Sequence, residues 1–477
     1  MKSASVVAAG TVIAAMITIA AIALARYPGL AWVFVVFNFC FFALFALIFP
    51  RPRLYGYIFL TALLGLGFWG KVLLHAIWAP GFVEPVGDFA NTPEEWDRAL
   101  LAASCGVLGI IAARCVHLWH ARTRRGTGEY TEVAAPDWFV RWRQPIWLLS
   151  VALVVAVNVA NQEFAFFQIG VNPKLLLPLR LHVMLAWLVN IGFALWIAAL
   201  LWWDHCNDPR TLAKNLVMPM IEAVFSTASA LSRLIYLLHA GPYWLALLER
   251  RREFAAAISR RQLVGLIGYF LFLFVLSIVI VFYLRVLLYY GYMSGVPPSE
   301  PLSRHVHRTM EVQMPVLFIH RWVGLEGVLV VGAAENRGSA LLVAAITESP
   351  KRASRALFQR AAKVKYLSED PQNFTFLANA GPVAILFFSG SLSIVFIGMM
   401  LVGLIVILTE EMARWWTGNP FLLAVSGAAL ANVATQTTFP YLTLIFLMQM
   451  WVAVGFLAVL QRWRVGEPAA RPFSGGQ

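Results

Sequence analysis

Charge is what this sequence has least of. Asp, Glu, Lys and Arg make up 13% of its 477 residues, against about 25% in an average soluble protein, while 60% are hydrophobic. A water-soluble domain cannot bury that much apolar side chain, so for most of the chain the solvent must be lipid. Soluble enzymes, fibrous proteins and disordered chains are excluded. Cysteine is scarce too: Cys40, Cys105, Cys115 and Cys206 sit in or beside apolar runs, without Cys-x-x-Cys or Cys/His spacing. Neither a disulfide framework nor a zinc site is indicated. No internal repeat of the kind that builds transporters is visible. Acidic residues are in the minority, 24 against 37 Lys and Arg. The arginines cluster between long apolar runs, where they orient membrane helices rather than bind nucleic acid.

A bilayer core needs about 20 apolar residues in a helix, and backbone crossing lipid must satisfy its own hydrogen bonds. Runs of that kind lie near 5–24, 30–50, 55–78, 98–120, 145–161, 181–203, 215–240, 264–292, 380–408, 420–438 and 441–461. The first follows Lys2 and ends like a signal peptide in Ala23-Leu24-Ala25. It is long, and a second run follows almost at once, so it is read as a retained span. Arg51/Arg53, Arg122/Arg124/Arg125, Arg141/Arg143 and Arg462/Arg464 belong on the cytoplasmic side, and the acidic stretch 79–97 falls outside by alternation. Counting back from an inside C-terminus, the long stretch 295–378 also lies outside. Arg250, Arg251, Arg252, Arg260 and Arg261 conflict with this scheme, because a single crossing by 215–240 places them outside. Either 215–249 turns back through Gly241-Pro242, or the basic helix lies on the outer surface.

Ionisable groups inside apolar runs are costly and are functional candidates by default. Lys71, Glu222, Arg233 and Arg285 qualify. On one continuous helix Glu222 and Arg233 share a face about 16 Å apart. In the outer stretch, His320-Arg321-Trp322-Val323-Gly324-Leu325-Glu326-Gly327 gathers a guanidinium, an indole and two glycines. The planar Arg fork suits a diphosphate and keeps its charge at any pH, and Trp offers a face to a sugar. Glu94-Glu95-Trp96-Asp97 holds an acid-x-acid pair that would suit a divalent metal. It is equally a helix start, with Thr92 as cap and Pro93 at the first position. The stretch 348–365 reads as a basic amphipathic helix for a headgroup surface.

Three places in this chain resemble the O-antigen polymerase and ligase superfamily. Ser232-Arg233 is similar to the Ser-Arg motif of its first functional loop. Arg321-Trp322 with Gly324, Gly327 and Gly332 looks like the Arg-Trp-Gly pattern of the second. Asn373-Phe374-Thr375-Phe376-Leu377, leading into Ala380-Gly381-Pro382, is similar to the His-Asn-x-x-Leu segment, with Gln372 standing where the ligases carry His. The resemblance implies polymerisation of undecaprenyl-diphosphate-linked oligosaccharides into a surface polysaccharide, at the periplasmic face of a bacterial inner membrane, without metal or other cofactor. It places Arg233 and Arg321 on the lipid diphosphate, with Trp322, Gln372 and Asn373 in support. The acceptor's proton needs a general base, for which Glu326 comes first and His320, His305 and His307 follow. Lipid-linked glycans, membrane lipids and a chain-length regulator are the partners this implies. Ligase chemistry is disfavoured by Gln372. A metal-dependent transferase on Glu95 and Asp97 and a flippase for lipid-linked glycans are the readings from other classes.

The expected architecture is therefore an all-α polytopic membrane protein of about eleven spans, GT-C-like, with one large extracytoplasmic loop domain. Its parts are N-terminal membrane helices over 1–293, a partly helical outer domain over 294–380, C-terminal membrane helices over 381–464, and a disordered tail over 465–477.

Overall fold

The computed structural model of the protein describes residues 2–79, 81–123, 134–254, 256–289, 322–364, 375 and 377–463. It is helical throughout: among these residues the one extended pairing is an isolated bridge between Gln168 and Val171. Among the described residues, seven helices are long and apolar enough to cross a membrane. After α1 (Lys2–Leu24) and α2 (Ala31–Ala46), they are α3 (Tyr55–Trp78), α4 (Pro93–Thr123), α5 (Asp137–Phe164), α6 (Leu181–Asn207), α9 (Arg260–Tyr289), α12 (Leu392–Thr417) and α14 (Pro440–Arg462). Between them lie α7 (Val217–Ala230), α8 (Arg233–Glu249), α10 (Leu325–Ala333), α11 (Ser339–Thr347) and α13 (Pro420–Thr435). The remaining runs of the eleven expected are shorter or interrupted among the described residues. Ile13–Leu24, Ala31–Ala46 and Pro420–Thr435 are apolar but shorter, and the expected spans 215–240 and 380–408 are both interrupted.

The first interruption falls where the orientation conflict arose. Leu231 takes a left-handed backbone, with φ 55°, and Ser232 is extended, so α7 and α8 form a hairpin rather than one crossing. The reversal is ten residues before the expected Gly241-Pro242, both of which lie inside α8. Glu222 and Arg233 consequently sit on different helices, and the common face drawn from a continuous helix is lost. The second interruption, at Ser389-Gly390, separates the short helix Pro382–Phe387 from α12. Gly390 has φ +72°, which permits the sharp turn.

With the hairpin in place, Arg53, Arg114, Arg143, Arg250, Arg414 and Arg462 gather at one end of the bundle. Arg53 pairs with Glu249 at 2.5 Å, and Arg143 and Asn215 both reach Asp204. Arg250 lies over the Trp202 ring. Arg114 donates to the carbonyls of Pro50 and Pro52, Arg414 to that of Arg53, and Arg462 to that of Trp416. Glu410, fully buried, accepts from the backbone N–H of Tyr55 and Gly56 and so fixes the start of α3 against α12. At the opposite end Asp97 accepts from Tyr27 Oη and from the N–H of Leu30. There, burial and then the Asp97 carboxylate push the Tyr27 hydroxyl above its ordinary pKa.

Of the expected outer domain 294–380, residues 322–364, 375 and 377–380 are described. Leu325, Val328, Leu329, Val330 and Val331 of α10 are buried in the same core as Phe34 and Phe37 of α2, Leu64 of α3 and Ile110 of α4. The second large cluster joins α6, α7, α8, α13 and α14 around Trp203, Tyr243 and Phe421. The expected amphipathic helix over 348–365 is corrected as well: it divides into a 3-10 turn, Pro350–Arg355, and the five-residue helix Leu357–Ala361. The Glu348 carboxylate accepts from the N–H of Leu357 at 2.9 Å, capping the second piece and drawing the chain into a turn. The tail 465–477 lies outside the described residues.

Candidate functional site

Two ionisable groups that the sequence set apart meet each other. Lys71 Nζ lies 2.5 Å from both carboxylate oxygens of Glu326, and both side chains are almost completely shielded. Glu84 adds its negative charge to the surroundings of Lys71. The backbone supplies the fit. Gly65–Gly70 of α3 is a π-helical segment, the type of local widening that accompanies functional sites in helices. A Cβ on Gly67 would stand 2.1 Å from the carbonyl oxygen of Val323, and one on Gly327 would stand 2.0 Å from that of Ala380. These glycines let the turn Trp322–Gly327 press against α3 and the 378–381 segment. One turn beyond Lys71, His75 is buried with its ring stacked on Phe82 at 4.2 Å.

The Ser232-Arg233 break forms the second part. Arg233 is the first residue of α8, at the positive end of its dipole. Carbonyls at the break are taken up: Ile169 N–H donates to Ala230 at 3.0 Å, Ser232 N–H to Thr227 at 3.1 Å, and Arg285 Nε to Leu231 at 2.8 Å. Arg285 therefore has a structural duty at the hairpin tip. Glu222 turns inward, accepting from Ser226 Oγ at 2.6 Å and facing His239 Nδ1 at 3.0 Å, while His239 Nε2 donates to the Asn190 carbonyl at 2.8 Å. Both imidazole nitrogens thus face oxygen atoms of the bundle interior. Asn190 lies in a second π-helical segment, Leu188–Gly192, which opens the carbonyl.

Counted by helical rise, the two parts lie similar distances along their helices from the arginine-rich end. Arg53 and Glu249 are paired at the arginine-rich end; from there, helical rise carries Arg233 about 24 Å up α8 and Lys71 about 24 Å up α3. The third motif segment joins them at its ends. Thr375 N–H donates to Gly170, next to the Ile169 that holds the hairpin tip, and a Cβ on Gly381 would lie 3.1 Å from the Val323 side chain. An apolar cleft of about 800 Å³ runs between α6 and α14, walled by Trp187, Phe193, Trp196, Met448, Val452 and Phe456. Phe193 belongs to the small cluster that contains Ala230 and Ile235.

Of the residues the sequence proposed, Arg233, Trp322 and Glu326 are placed by this geometry. Arg321, His320, His305, His307, Gln372 and Asn373 lie outside the described residues. The acid pair at 95 and 97 is taken up by the backbone. Glu95 accepts from Thr92 N–H at 3.2 Å while Thr92 Oγ1 accepts from Glu95 N–H at 3.4 Å, a reciprocal cap for α4. His75, Asn190 and His239 escaped the sequence reading. His75 alone carried a signal, four residues after Lys71 on one helix face. No protein-family model, no curated protein and no solved structure matches the chain, so its chemistry is argued from these residues.

Proposed function

We propose that the chain is a membrane glycosyltransferase that polymerises lipid-diphosphate-linked oligosaccharide repeat units, with Arg233 gripping the diphosphate. The observation that carries this reading is the helix break. It presents a half-buried guanidinium at a helix N-terminus, and the same bundle holds an apolar cleft of about 800 Å³ between α6 and α14 that would suit an isoprenoid chain. Positioned cations of this kind stabilise the charge that grows on a diphosphate leaving group as the glycosidic bond breaks. The site would face the periplasm of a bacterial inner membrane, opposite the arginine-rich end, as the positive-inside rule directs. Arg321 precedes the fixed turn at Trp322 and is the second cation of the proposal. Glu326 holds that turn through Lys71. Both of its oxygens face the ammonium, so its part is to position the Arg-Trp segment.

In cells, Arg233→Ala and Arg321→Ala are expected to abolish long polymer at normal protein abundance, leaving single repeat units on lipid. Polymer of normal length from either variant overturns the reading. The lipid-linked pool left by a deletion separates the related activities: full-length polymer retained on lipid indicates a ligase. One observation favours transport as a second reading, namely that discontinuous helices whose ends point inward are how transporters build sites. Repeat units trapped on the cytoplasmic side would then replace the periplasmic ones.

A further inference from the structure

We propose a second anion site at the outer end of the bundle, where Arg98 and Arg337 grip the phosphate headgroup of an anionic membrane lipid. The two arginines line one cleft of about 540 Å³ between α4, the α10–α11 turn and the start of α12. Arg98 is held in place by donating from Nη1 to the Gly332 carbonyl at 2.7 Å. Arg337 lies with its guanidinium 5.5 Å from the centre of the Phe387 ring. Among the described residues neither arginine is within ion-pair distance of a carboxylate. Burial, and then the charge of Arg98, push the pKa of Arg337 below its ordinary value. Two cations that repel each other across a half-buried cleft are stabilised by an anion placed between them. Guanidinium forks suit the oxygens of a phosphate, which can accept from both at once.

The cleft's other walls say that the phosphate comes attached to a lipid. Leu101, Phe387 and Leu392 make one side apolar, and α11 next to it turns Val343 and Ile346 outward. Arg98 stands in the second turn of α4, and α12 begins at Leu392, so the arginines lie at the level where two long apolar helices end. That is the headgroup level of a bilayer. Ser389 and Gly390 line the cleft just ahead of α12, whose N-terminus adds the positive end of its dipole. Glu335 is the single acid in the wall and is exposed at the rim. With two arginines against one glutamate, the lining keeps an excess of positive charge.

This site is independent of the polymerase reading, which uses Arg233 and Arg321, and its test does not depend on enzymatic activity. The purified full chain in a neutral detergent is titrated with dioctanoyl phosphatidylglycerol, dioctanoyl phosphatidylcholine and inorganic phosphate, with binding read by native mass spectrometry and by thermal shift. Phosphatidylglycerol is expected to bind and to raise the melting temperature, while the zwitterionic lipid and inorganic phosphate at equal concentration do neither. Arg337→Gln is expected to weaken binding by about tenfold, as loss of one charge-assisted contact implies, and Glu335→Gln to tighten it. Arg98→Gln should act like Arg337→Gln, but it also removes the bond to Gly332. The other two variants therefore carry the test if it fails to fold. Equal binding of the two lipids, unchanged affinity in Arg337→Gln, or inorganic phosphate binding as tightly as the lipid would each overturn the assignment.

Discussion

Replacing Lys71 with Met removes the ammonium that both oxygens of Glu326 face at 2.5 Å and leaves the carboxylate buried without its counter-charge. Stranding one member of a buried pair costs about 3–5 kcal/mol, whereas replacing both by apolar side chains of similar volume is often neutral. Lys71→Met alone is therefore expected to lower the thermal midpoint of the purified protein sharply, and Lys71→Met with Glu326→Met to restore most of it. Equal losses in the single and double variants would show that the pair is not what holds the turn. Both residues were visible in the sequence as charges in apolar company. Their partnership was not, because 255 residues separate them and no local pattern links α3 to the chain that returns after α9. Arg233 shows the reverse. Its isolation in an apolar run singled it out, yet its position at a helix start depended on a break that no glycine or proline announces.

At the scale of helices and turns, the Arg-Trp-Gly pattern divides into glycines with different duties. A Cβ on Gly327 would meet the Ala380 carbonyl oxygen at 2.0 Å, a backbone atom that can yield only by moving the 378–381 segment, whereas at Gly332 the nearest atom is Phe387 Cε1 at 3.9 Å. Overpacking of this kind costs about 1–3 kcal/mol or more. Gly327→Ala should destabilise the protein by at least that much in denaturant titration, and Gly332→Ala should leave it unchanged. A tolerated Gly327→Ala would remove the close approach from the account. The same scale shows why some elements were legible and others not. α3 was placed at 55–78 because an uninterrupted apolar run can only be a helix in lipid, and the start of α4 was announced by Thr92, Pro93 and Glu95. The α7–α8 turn was missed because Leu231, buried and β-unbranched, adopts a conformation that Gly usually takes. It is compensated by bonds from Ile169 and Arg285, which only the folded chain brings near. Gly241-Pro242 misled because Pro242 is accommodated within α8, packed among buried residues.

For the whole molecule, the hairpin decides on which side the basic segment after α8 emerges. With α7 and α8 as two antiparallel halves, Glu253 returns to the end that holds Arg53, Asp204 and Arg210, and the basic segment after α8 joins Arg53 and Arg143 there. With a single crossing, five arginines between 250 and 261 would face away from the rest, against the charge asymmetry that orients membrane proteins. Asp88, joined to Lys363, marks the opposite end. In a background with Cys40, Cys105, Cys115 and Cys206 replaced by Ala, Arg210→Cys, Glu253→Cys and Asp88→Cys can each be labelled in intact cells with a thiol reagent that does not cross the inner membrane. Asp88→Cys should react without permeabilisation, and Arg210→Cys and Glu253→Cys only after it. If Glu253→Cys instead reacts together with Asp88→Cys, α7 and α8 cross the membrane as one span. Arg233 would then lose its helix start, and the proposed diphosphate site would lose its first cation.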